Sequence, residues 1–89
     1  MQVENYIIIL SLVKHADNLD IKYKILPEAA EGSIVIRNNE GDTIKTFSKL
    51  KPTNSGLVNF STKELAAGKY TCTSIMGIQE GRSLNFTID

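Results

Sequence analysis

Apolar and polar positions alternate with a period of two along most of this chain. Residues 19–25 show it best: Leu19, Ile21, Tyr23 and Ile25 share one face, and Asp20, Lys22 and Lys24 share the other. That is the pattern of a β-strand with one dry and one wet side. Pro27 stops it, and residues 27–32 read as a loop. Residues 33–37 form a second alternating strand with Ile34 and Ile36 on one side. Asn38-Asn39-Glu40-Gly41 then turns the chain, with Gly41 supplying a positive φ. Over residues 43–50, Ile44 and Phe47 have opposite parity, which predicts a bulge. Residues 51–56, with Pro52, Asn54 and Ser55, are the longest expected loop. Residues 57–60 are a strand with Val58 and Phe60 on one face. Residues 69–76 and 82–88 form a last hairpin around residues 77–81, and Leu84, Phe86 and Ile88 supply its inward face.

Residues 3–13 form the most apolar run. Three consecutive isoleucines favour strand over helix through their stiff χ1. Tyr6, Ile8, Leu10 and Leu12 share one side; Ile7, Ile9 and Val13 share the other, and only Ser11 is polar. A strand apolar on both faces is uncommon in an antiparallel sheet. Either the fold covers both sides, or one side or the strand edge is closed by another chain. On the second reading Tyr6, Ile7, Ile9 and Val13 are the candidate partner-binding residues. The turn after the run is Lys14-His15-Ala16-Asp17-Asn18.

The stretch Leu65-Ala66-Ala67-Gly68-Lys69-Tyr70-Thr71-Cys72 reads as a turn feeding a buried strand. Ser61 and Glu64 have capping-box spacing, which predicts one helical turn over residues 62–66. Gly68 ends it. Gly41, Leu65, Gly68 and Tyr70 are the expected structural positions. The Gly-x-Tyr-x-Cys spacing resembles the tyrosine corner of immunoglobulin-type sandwiches, where the tyrosine hydroxyl bonds back to the backbone. The plainer alternative is a half-buried strand aromatic. The count is seven short strands with turns about every ten residues. The expected fold is therefore all-β: a single seven-stranded antiparallel immunoglobulin-like β-sandwich over residues 1–89.

Composition narrows the function classes. Lys plus Arg and Asp plus Glu number 10 each, so the formal net charge is zero. There is no electrostatic case for nucleic acid or an anionic membrane surface, and no segment is long enough to cross a bilayer. Cys72 is the only cysteine, which excludes an internal disulfide and a cysteine metal cluster. No export signal is expected, because residues 6–13 follow Glu4 and no Lys or Arg.

Candidate chemistry is sparse. His15 is the sole histidine and would need Cys72 or a serine beside it, yet it sits in a polar turn while Cys72 lies within a strand. Asp17, Asn18 and Asp20 offer three oxygen donors in one turn, against the six to eight that calcium takes. No phosphate-binding glycine loop is present. No enzyme activity, cofactor or metal is expected. Lys22, Lys24, Lys45, Lys49 and Lys51 read as a solvated face with edge protection, or as a patch for an anionic partner.

A family resemblance joins these motifs. Ile21-Lys22-Tyr23-Lys24-Ile25-Leu26-Pro27 resembles the Ile-x-Tyr-x-Leu-Pro strand of the C-terminal sorting domains exported through the Bacteroidetes type IX secretion system. The segment from Ser33-Ile34-Val35-Ile36-Arg37 to Gly41-Asp42-Thr43-Ile44-Lys45 is similar to that family's next hairpin. Leu65-Ala66-Ala67-Gly68-Lys69-Tyr70 is similar to its Leu-x-x-Gly-x-Tyr step. The chain departs from the family in its first turn, which lacks Asn-Pro, and in its tail, Asn85-Phe86-Thr87-Ile88-Asp89. The resemblance implies an immunoglobulin-like module, and the departures suggest that it is used free-standing. Its expected partners are the protein chains of a larger assembly, such as a phage capsid or tail, which places it in the virion as an auxiliary or decoration protein. The alternative it implies is a sorting or adhesion domain of a longer cell-surface or secreted protein.

Overall fold

The computed structural model describes residues 6–29, 32–77 and 79–89. These form seven strands: β1 (Ile7–His15), β2 (Asn18–Ile25), β3 (Gly32–Asn38), β4 (Thr43–Leu50), β5 (Thr53–Ser61), β6 (Gly68–Met76) and β7 (Gln79–Ile88). A short 3-10 turn, Pro27–Ala29, follows β2. All pairings are antiparallel and build two sheets, one in the order β1-β2-β5 and one in the order β4-β3-β6-β7.

The alternating faces meet between the sheets. Leu19, Ile21, Tyr23 and Ile25 of β2 face Ile34 and Ile36 of β3, Tyr70 and Cys72 of β6, and Phe86 and Ile88 of β7 in one apolar cluster. The arrangement is sandwich-like, and each fully buried isoleucine contributes roughly 1.5–3 kcal/mol by leaving water. Phe47 of β4 meets Phe60 of β5 edge to face at 6.3 Å, joining the two sheets along one side. On the other side β1 packs against β6 and β7.

Tyr70 closes the crossing from β5 to β6. Its Oη donates to the Ala66 carbonyl at 2.6 Å, and its ring stacks on Phe86 at 5.4 Å. Leu65, half-buried, packs against the core from the same connection. The hydroxyl thus reaches back over four residues, as the Gly-x-Tyr spacing predicts. The helical turn expected over residues 62–66 is absent. Leu65 N donates to Thr62 O instead, making a simple turn, and Ser61 is the last residue of β5 and not a cap. Pairing with Asn18 draws Ser61 into the sheet and overrides the capping signal.

The β3–β4 hairpin is held by Asn38, whose Oδ1 accepts from Glu40 N at 3.0 Å and Asp42 N at 2.9 Å. Gly41 sits at φ +87°, where a Cβ would be strained. The expected bulge in β4 falls at Ile44: Ile36 pairs with Lys45 and Arg37 with Thr43, leaving Ile44 unpaired and exposed.

Three boundaries differ from the sequence reading. The expected loop over residues 51–56 is mostly strand, because Thr53 pairs with Ile25 and Gly56 with Tyr23. A Cβ at Gly56 would lie 2.3 Å from the Tyr23 ring, so glycine here marks a close approach and not a turn. The first hairpin is tighter than residues 14–18, since His15 pairs with Asn18 across Ala16 and Asp17, with Ala16 at φ +31°. The last hairpin closes at Met76–Gln79, and β7 therefore begins before Gly81.

Two stability outcomes follow from this core. Tyr70→Phe removes the bond to Ala66 O and should lower unfolding free energy by about 1–2 kcal/mol in a urea titration. Ser74 Oγ is buried on the inward face of β6 without a hydrogen-bond partner among the described residues. Ser74→Ala should therefore raise the urea midpoint, by about 1 kcal/mol of stability, at unchanged m-value.

Candidate interaction surface

Among the described residues β1 is an edge strand, paired only with β2. Its register contains one extra residue: Ile9 pairs with Tyr23 and Ser11 with Lys22, which leaves Leu10 as a bulge. A bulge shifts the inward–outward alternation by one residue. Ile7 and Ile9 therefore point into the core on one side of it, and Leu12, opposite the buried Ile21, does so on the other. Ile8, Leu10 and Val13 are left outside, 41%, 55% and 40% exposed.

This corrects the sequence reading of the run. Of the candidate partner-binding residues, Ile7 and Ile9 are core residues, Tyr6 is half-buried, and only Val13 is exposed. Ile8 and Leu10, assigned to the opposite side from Val13, join it. Ser11, the one polar residue of the run, stands where the alternation changes.

Leu57 completes the surface. It pairs with Lys22 on the outer face of β5 and is 57% exposed. Its outward position was readable from the inward pairing of Val58 and Phe60. A shallow depression of about 330 Å³ lies between Leu10, Lys22, Gly56 and Leu57. Among the described residues, the exposed large hydrophobics are these four and Ile44, which lies on the other sheet.

Polar groups frame the strip. His15 Nε2 lies 3.1 Å from Asp20 Oδ2, and Asn59 Nδ2 donates to Asp20 Oδ1 at 2.6 Å, so the hairpin end carries a bridged trio on the same face. Lys22 and Lys24 flank Leu57 and Ile8. Lys45 and Lys49 belong to β4 of the other sheet, so the five lysines do not share one face. Lys45 Nζ lies 5.6 Å from the centroid of the Phe47 ring.

The outer face of the four-stranded sheet is different in kind. Thr73 Oγ1 and Ser83 Oγ share a hydrogen bond of 2.7 Å, and Arg37 bridges to Glu80 at 3.0 Å. An open concavity of about 560 Å³ at its end is lined by polar groups such as Arg37, Lys69, Thr71 and Asn85.

The structure does not bring the one nucleophile and the one base together. His15 is on the exposed hairpin, engaged with Asp20. Cys72 is fully buried in the core, and burial pushes its thiol up to about 12. Asp17 O accepts from Thr62 N, and no group of three metal-ligating side chains occurs among the described residues. No helix is long and apolar enough to cross a membrane among those residues. No protein-family model matches the chain, and neither a curated protein nor a solved structure is significantly similar to it.

The buried thiol sets an alkaline limit. Its pKa lies near 9 when exposed and about 12 in the fold, so the folded state holds the proton longer. Stability from this group is intact below pH 9 and falls as pH rises toward 12, by at most about 1.4 kcal/mol per pH unit. Urea titrations of the wild type and Cys72→Ala should therefore converge in free energy above pH 9. Parallel profiles would show that the thiol does not contribute.

Proposed function

We propose that this chain is a non-catalytic, immunoglobulin-like interaction module that docks onto a larger protein assembly through the outer face of the β1-β2-β5 sheet. The observation that carries this reading is the gathering of Ile8, Leu10, Val13 and Leu57 on that one face. Scattered exposed hydrophobics need no explanation, but a set grouped on one sheet face and rimmed by Lys22, Lys24 and Asp20 is the composition of a protein-binding patch.

The immunoglobulin-like assignment is supported by three features together. The strands divide as β1-β2-β5 against β4-β3-β6-β7, the arrangement of a Greek-key sandwich. Tyr70 makes the back-bond of a tyrosine corner two residues before Cys72. Phe47 and Phe60 join the sheets on the side away from β1. The non-catalytic reading is supported by a thiol held protonated in the core and a histidine held by Asp20 at the surface.

The departures of the first turn and of residues 85–89 from the sorting-domain pattern favour a free-standing module, and the kind of assembly is proposed by analogy with free-standing immunoglobulin-like decoration proteins. We propose an auxiliary position on a phage capsid or tail; a sorting or adhesion module of a longer exported protein is the second reading, favoured by the resemblance of residues 21–27 and 65–70.

A photo-crosslinking amino acid placed at Leu57 in the producing cell should capture a structural protein of the assembly, while one at Ile44 should not. Leu57→Asp should reduce co-sedimentation with the purified particles by at least about tenfold without changing the thermal midpoint. Equal capture from both positions, or undiminished co-sedimentation, would exclude this face as the docking surface.

A further inference from the structure

The edge of β1 over residues 8–13 has a symmetry that its outer face alone does not reveal. Inward residues are Ile9 before the bulge and Leu12 after it; outward residues are Ile8 before and Val13 after. The change of parity therefore lies midway between Leu10 and Ser11. Opposite residues of an antiparallel pair must point to the same face. An antiparallel partner strand identical to β1, centred on that midpoint, satisfies this over residues 8–13. Its Leu12 lies opposite Ile9, both inward, and its Val13 lies opposite Ile8, both outward.

The backbone agrees. Tyr6 O is turned toward β2, where it accepts from Leu26 N at 3.0 Å. Strand alternation turns Ile8 the same way and Ile9 toward the open edge. From the other end, His15 pairs with Asn18 across the two-residue turn, which turns His15 and Val13 toward β2 and Leu12 toward the edge. Ile9 and Leu12 thus present their N–H and C=O groups to the same side, and in the register just described they stand opposite each other and can exchange both bonds.

We infer that a second copy of this chain occupies this edge, β1 against β1 about a two-fold axis beside Leu10 and Ser11, fusing two three-stranded sheets into one of six strands. Charge fits the second copy. Each row across the axis runs Lys24, Ile8, then Val13 and Asp20 of the second copy, with opposite charges at the ends and only apolar side chains between. A net charge of zero removes long-range repulsion between copies.

Both edges of the four-stranded sheet are guarded, and β5, the far edge of the three-stranded sheet, is interrupted by a register shift between Gly56 and Thr53. β4 carries Lys45, Lys49 and a bulge at Ile44, and β7 carries Glu80, Arg82 and a register shift opposite Ser74. β1 has no charged residue from Tyr6 to Val13. The inference concerns the edge of the sheet and is independent of docking through its face.

The test uses Ile8→Glu and Val13→Lys. Within one chain the first change faces Lys24 and the second faces Asp20, so both variants keep compatible neighbours and should fold. Sedimentation equilibrium of the wild type should show the mass rising from 9.8 kDa toward twice that value with concentration. Each single variant should weaken this association at least about tenfold, because a charge then meets an apolar partner. An equimolar mixture of the two should recover it, since the acidic position 8 of one chain meets the basic position 13 of the other. In a mixed-label wild-type sample, an intermolecular NOE should join the Ile8 and Val13 Hα protons. A wild type that stays monomeric to millimolar concentration would overturn the inference. So would a dimer indifferent to both variants, a mixture no tighter than its components, or a dimer without that NOE. Leu57→Asp should leave the dimer intact, which separates this interface from the docking face.

Discussion

Between Ile9 and Leu12 the edge strand contains one residue more than its neighbour can pair with. Side chains alternate along a strand with a period of two, so one additional residue transfers everything beyond it to the opposite face. Without the bulge, Leu12 would leave the core and Val13 would enter it. The packing of β1 over β6 and β7, the apolar strip on the outer face and the matched edge all follow from that local irregularity. Its cost is one unpaired residue, Leu10, at an edge where solvent can satisfy the backbone.

The rest of the fold holds the irregular strand in place. Ile21 and Ile25 of β2 and Ile34 and Ile36 of β3 are essentially inaccessible and form the centre of the cluster. Tyr70 fixes the crossing between sheets through a single polar bond in an otherwise apolar setting, and the edge-to-face pair of Phe47 and Phe60 seals the opposite side. Lys45 serves this second closure from the surface: paired with Ile36 on an exposed edge strand, it turns its ammonium over the Phe47 ring. A cation there also blocks strand addition at that edge.

Much of this was legible in the residue pattern. The alternation over residues 19–25 and 33–37 is strong because each strand has one wet and one dry face, and the conflict of Ile44 with Phe47 announced a bulge correctly. Two features were not. Residues 53–56 have a loop composition, yet Thr53 pairs with Ile25 and Gly56 with Tyr23, whose ring fills the space a side chain at position 56 would need. The bulge in β1 was hidden because residues on both sides of it are apolar, so a shift of parity leaves no mark except Ser11. Consequently the strand character of residues 7–13 was readable, residues 3–5 of the run lying outside the described residues, while Ile7 and Ile9, candidate partner-binding residues on one of the two readings, are buried in the core. The outward position of Leu57 followed from its neighbours but drew no notice as a single leucine.

The contact between Tyr23 and Gly56 also bears on how this protein can diverge. The ring occupies the volume that any side chain at position 56 would need, and it is held there by the core on its other side. The two positions therefore act as one unit of space divided between strands. A larger residue on β5 becomes tolerable only after the aromatic on β2 has been replaced by something shorter. Drift at this point of the sheet must pass through paired exchanges in a preferred order, and a substitution at either site has a meaning only in company with the residue across from it.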